Sequence, residues 1–98
     1  MSDTITVMDN ELGQLRVQFH LGMPYIHVVV RKWSHTLYKA YLRVWALLLQ
    51  QLAKDGHPVA FSVIPEGDEK LYKFQLMFGM QEEMRDDGQI LMRVNTEV

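Results

Sequence analysis

Residues 34–56 carry a pattern that an amphipathic helix satisfies and a strand does not. Leu37, Tyr41, Trp45, Leu48 and Leu52 recur at helical spacing, Tyr38, Leu42, Leu49 and Ala53 widen the same face, and Lys39, Arg43, Gln50 and Lys54 line the opposite one. Both ends are marked. Ser34 or Thr36 can cap the first free N–H groups, Gly56 suits the left-handed residue after the last turn, and Pro58 forbids continuation. A helix of about five turns with so wide an apolar stripe must lie on a partner surface.

The flanking segments offer a sheet. Residues 4–8 and 14–21 alternate as strands, with Leu15, Val17, Phe19 and Leu21 on one side of the second and Arg16, Gln18 and His20 on the other; Asp9, Asn10 and Gly13 supply the turn between them. Gly22 and Pro24 end that strand. Within residues 25–33, Tyr25, Ile26, Val28, Val29 and Val30 form a nearly continuous apolar, largely β-branched run, which predicts a central strand covered on both faces. After the long helix, residues 57–64 predict a strand, 68–78 a shorter helix capped by Asp68 and closed by Gly79, and 80–85 and 89–94 a hairpin turning at Asp86, Asp87 and Gly88. The fold class expected is a single α+β (mixed α/β) domain over residues 1–98. Its sheet is mixed and mostly antiparallel, with the long helix on one face and the short helix on the other. Residues 1–3 and the last four residues read as loose ends.

Composition narrows the classes of function. A net charge of −2 and a pI near 6.0 argue against a protein held on nucleic acid mainly through phosphates. The apolar run 45–49 is far too short to span a membrane, and the first twenty residues lack the apolar core of a signal peptide, so the expectation is a soluble protein with no membrane partner. Without cysteine there is no disulfide and no thiolate. His20, His27, His35 and His57 are scattered without ligand spacing, so no metal site is expected. Glu82 with Glu83 and Asp86 with Asp87 read as a solvated hairpin surface. Trp33, Tyr38, Tyr41 and Trp45 read as core, with Trp33 the one aromatic to check as a binding surface. Met77, Met80, Met84 and Met92 read as core filling in preference to an adaptable binding face.

The order from residue 25 to 94 resembles the second half of the GNAT family of N-acetyltransferases, in which a central strand enters a pyrophosphate-binding turn and a long helix, then a strand, a short helix and a strand. EKLYKFQLMFGM at 69–80 resembles the family's short helix ending in Gly-Phe, and EEMRDDGQILMRV at 82–94 resembles its closing hairpin. More narrowly, this half is similar to the small GNAT-like internal virion proteins of T7-like bacteriophages. The resemblance implies a truncated GNAT-like domain, since the chain begins too late for the family's first strand and two leading helices.

It also implies where chemistry would sit. The family holds the pyrophosphate of acetyl-CoA on backbone N–H groups of a turn, Arg/Gln-x-x-Gly-x-Gly/Ala, at a helix N-terminus. Here the turn is RKWSHT: Arg31 fits, and Ser34 and Thr36 stand where the glycines would be. Four residues before Gly79, where the family places its acid tyrosine, stands Gln75, which cannot protonate a thiolate; Tyr72 is the replacement one turn earlier. The expectation is therefore a degenerate N-acetyltransferase of virion or host cytoplasm. It acts on a protein partner of phage or host, in assembly or by binding a host factor, without efficient acetyl transfer and without a cofactor. The alternative is a minimal acetyl-CoA-dependent N-acetyltransferase using Arg31, Ser34, Thr36 and Tyr72. Surplus apolar surface, and an expected exposed edge at 89–94, point to a homodimer.

Overall fold

The computed structural model describes residues 3–97. The elements follow the order β1 (Asp3–Asn10), β2 (Gly13–His20), β3 (Met23–Val30), α1 (His35–Lys54), β4 (Val59–Pro65), α2 (Glu69–Met77), β5 (Gln81–Asp86) and β6 (Gln89–Asn95). They form one six-stranded sheet ordered β1-β2-β3-β4-β6-β5, in which β3 and β4 are parallel and every other neighbouring pair is antiparallel. The α+β class and the mixed, mostly antiparallel sheet follow the sequence reading. Residues 1 and 2 of the expected loose N-terminus, and Val98 at the other end, lie outside the described residues.

The long helix begins where capping chemistry puts it, with the Ser34 hydroxyl accepting from the Leu37 N–H at 3.1 Å. It ends at Asp55, followed by Gly56 at φ +88°. Tyr41, Trp45, Leu48, Leu49 and Leu52 are buried, one stripe of the helix as the periodicity requires. They meet Leu15, Val17, Ile26, Ala60, Ile64, Ile90, Met92 and Val94 in a single core.

The short helix stands on this same face, which corrects the expectation of one helix per face. Phe78 at its end packs on Trp45 (ring centroids 5.6 Å apart) and Phe74 on Tyr41 (6.4 Å). The Gln75 amide donates to the Ser62 hydroxyl at 2.7 Å, and Ser62 shares its strand face with buried Ala60 and Ile64. The physical reason is the content of α2: Phe74, Gln75 and Phe78 form a stripe too narrow to cover a sheet face alone, and they complete the aromatic layer begun by α1.

Among the described residues no helix therefore lies over the opposite face. Gln18, Tyr25, His27, Phe61, Leu91 and Arg93 are half-buried there, and Val63 is exposed. β3 is central in the order, yet Val29 on this face remains 46% exposed, so the strand is not covered on both faces as its composition predicted. Its β-branched run suits the interior of a sheet without requiring two layers around it. Leu21 and Gly22, both at positive φ, form the two-residue turn into β3, which begins before Pro24.

Two further expectations are corrected at the C-terminus. β6 lies between β4 and β5, so the edges of the sheet are β1 and β5. Thr96 is buried: its N–H donates to the Pro58 carbonyl at 3.0 Å and its hydroxyl to the His57 carbonyl, which ties down residues expected to be loose. Met80 and Met92 fill the core as expected, whereas Met77 and Met84 are about half exposed.

Gly13 owes its place to close approach. A Cβ built there would lie 2.3 Å from the Val29 carbonyl oxygen, a backbone atom with no rotamer to yield. Gly13→Ala is expected to lower the urea midpoint by the equivalent of about 1–3 kcal/mol through overpacking. Met92→Ala, at a position with no exposed surface, is expected to lower it by about 2–5 kcal/mol through a cavity. Urea unfolding followed by tryptophan emission checks both.

Candidate functional site

The candidate site lies where β3 runs into α1. Its first layer is a joint between this crossing and the β1–β2 turn. The Leu12 carbonyl accepts from the Arg31 N–H (2.9 Å), the Lys32 N–H (3.0 Å) and the Tyr41 hydroxyl (2.8 Å), and Tyr41 also lies 2.6 Å from the Lys32 carbonyl. Burial pushes the Tyr41 hydroxyl upward in pKa and so keeps it a donor. Asn10 folds the turn back by accepting from the Leu12 N–H at 2.8 Å.

Arg31 belongs to the same joint. Its Nη1 donates to Asp9 Oδ1 at 2.8 Å and to the Asn10 carbonyl at 2.6 Å. The Arg31 guanidinium, with help from Gln14, holds the Asp9 carboxyl below the usual carboxylate range. Ser34 uses its hydroxyl as the cap of α1, and Thr36 is exposed in the first helical turn. Three residues predicted as a phosphate-binding turn thus lie together at the helix entry, but the charged one and one of the two hydroxyls are already engaged in the fold.

Tyr72 is not brought to them. It is half-buried on α2 on the side of Glu82 of β5, whose carboxyl is lowered chiefly by Arg85 and secondarily by this tyrosine. Arg85 also reaches Glu66 at 3.3 Å, and Arg93 reaches Glu83 at 3.7 Å, so the hairpin carboxylates form a solvated ion-pair surface as expected. Gln75, where the resemblance would place an acid tyrosine, is a buried strut to Ser62.

Beside the joint opens a groove of about 700 Å³. Val28, Val29 and Val30 line one wall, Trp33 the end, and Leu71, Phe74 and Met77 of α2 the other wall, with Asp68, Lys70 and Lys73 adding charge. Helical spacing explains the last set: residues 70, 73, 74 and 77 share a face, and Tyr72 falls off it. Trp33 stacks on Tyr41 at 5.8 Å with its ring nearly parallel and meets Phe74 edge-on at 5.4 Å, yet stays 47% exposed. It is the aromatic the sequence marked for checking, and it forms the groove's end. Lys70 and Lys73 were not singled out from the sequence; their signal was the i, i+3 spacing on a helix whose other face is apolar.

Among the described residues no group of His, Asp and Glu is arranged to hold a metal. Among the described residues no helix is long and apolar enough to cross a membrane. No family model matches the chain, and no curated protein matches it.

The helix-free face has its own electrostatics. His27 Nε2 lies 3.0 Å from the Gln18 side-chain oxygen, and burial, then the charge of Arg16, lowers its pKa. A base depressed in the folded state is protonated first in the unfolded chain. His27 therefore destabilises the fold as pH falls below the ordinary imidazole value of about 6.5, until the folded imidazole also titrates. An NMR titration of His27 should give a midpoint below that value, and Arg16→Gln should raise it. A midpoint at or above 6.5 contradicts the assignment.

Proposed function

We propose that this chain is a GNAT-like scaffold of bacteriophage type that works by protein–protein interaction, in virion assembly or on a host factor, without efficient acetyl transfer. One observation carries the reading: Arg31, the only charged side chain of the expected pyrophosphate turn that the family pattern calls for, is spent on Asp9 and the Asn10 carbonyl. A phosphate would have to displace a carboxylate that lies against the same guanidinium. Ser34 cannot offer its hydroxyl without uncapping α1. The replacement acid, Tyr72, faces Glu82 and does not line the groove.

The order of strand, turn, long helix, parallel strand, short helix and hairpin supports the GNAT-like part of this reading. The phage origin rests on the likeness of residues 69–94, and with it the setting in virion or host cytoplasm. Self-association as a homodimer has a different route from the one the sequence pointed to. β1 is the open edge with apolar side chains, Ile5 and Val7 being 54% and 42% exposed, whereas β5 carries Glu82, Glu83 and Arg85 along its edge.

Isothermal titration with acetyl-CoA tests the central point. The expected result is no saturable heat at ligand concentrations of about 1 mM, where a micromolar site would saturate. Low-micromolar binding that Arg31→Ala abolishes would overturn the proposal in favour of a minimal N-acetyltransferase.

A further inference from the structure

β3 and β4 are adjacent in the sheet but paired in register only at Tyr25 and Phe61. Beyond that point the two strands carry no ladder toward each other, although β3 continues to Val30 and stays in register with β2 through Val29 and Val30. Residues 28–30 thus present a strand edge inside the sheet, on the wall of the groove. Backbone groups on such an edge have hydrogen-bonding capacity that only another extended backbone matches repeatedly.

The opposite wall states what kind of chain fits. Lys70 and Lys73 are exposed, line the groove one turn apart, and make no ion pair among the described residues. The single carboxylate of the lining, Asp68, is turned to the Leu71 N–H as the cap of α2. The groove is therefore net positive over an apolar floor of valines, Trp33 and Phe74. Its volume lies in the range of sites that enclose a ligand of several residues or fewer.

We infer that this groove binds an extended acidic peptide segment of a protein partner, added as a short strand along residues 28–30, with one alternate set of acidic side chains laying its aliphatic stems on Trp33 and Phe74 and its carboxylates toward Lys70 and Lys73. Alternation follows from the strand period: every second side chain points to the helix-bearing face, where Trp33 and Phe74 lie with Lys70 and Lys73, and the intervening ones point to the helix-free face. This rests on the interaction reading above and names the partner's chemistry.

The test uses the whole chain and fluorescein-labelled peptides of about nine alternating Glu and Val residues, roughly the length of a long strand. Fluorescence anisotropy should show saturable binding, and a peptide with Lys in place of Glu should bind at least about tenfold more weakly. N-methylation of one set of alternate peptide amides should abolish binding while methylation of the other set is tolerated, because a strand edge uses every second N–H. The K70E/K73E variant should weaken the acidic peptide about tenfold and favour the lysine peptide. Amide shifts on titration should cluster at Val28, Val29, Val30, Lys70 and Lys73. The inference is overturned if the acidic peptide does not bind, if both methylated sets bind equally, or if the shifts fall on the helix-free face around Tyr25 and Phe61. Absence of both peptide and acetyl-CoA binding removes this inference alone; a micromolar acetyl-CoA complex removes the reading beneath it.

Discussion

One backbone carbonyl organises the working end of this molecule. Leu12 sits in a two-residue turn, and its oxygen receives the Arg31 and Lys32 N–H groups and the Tyr41 hydroxyl. A carbonyl has two lone pairs, which the two N–H groups fill, while the Tyr41 hydroxyl shares its one proton between this oxygen and the Lys32 carbonyl. Through it the β1–β2 hairpin, the end of β3 and the second turn of α1 become one rigid corner. The side chains of Arg31 and Asp9 brace the corner from outside, where solvent screens them and geometry matters more than strength.

The corner sets the placement of both helices. With α1 fixed at its start, its buried stripe runs over the sheet, and Trp45 and Tyr41 leave an aromatic margin for Phe74 and Phe78 to fill. α2 therefore closes the same layer and stands away from β3 at the point where β3 parts from β4. Groove and corner are thus two consequences of one crossing, a parallel strand–helix–strand unit whose strands touch at a single register pair. The other sheet face holds its half-buried aromatics and cations without a second layer.

Much of this was legible in the chain. Helical spacing and capping located α1 to within a residue or two at each end, Asp68 and Gly79 bounded α2, and the Gly and Asp clusters placed the turns. Apolar runs also gave the strands, but they could not give layers. The residues 25–30 look alike whether a sheet is covered on one face or two, and a nine-residue helix with a mixed stripe does not say which face it joins. Strand order was equally hidden, since residues 89–94 alternate as well in the interior as at an edge. Of the residues marked for the site, Arg31, Ser34 and Thr36 lie at one helix entry, because they are neighbours in sequence. Their engagement was not legible: the partners of Arg31 are 21 and 22 residues away, across a hairpin whose register no local pattern fixes. The Ser62–Gln75 strut was missed for the same reason.

The central claim is that Arg31 is a structural brace and not a free anion-binding group. Arginine side-chain NMR reads this directly from the guanidinium protons of the unliganded protein at neutral pH. The structure predicts hindered rotation and separate Nη signals for Arg31, collapsing to one averaged signal in Asp9→Asn. A single averaged Arg31 signal in the native chain, unchanged by that substitution, would contradict it.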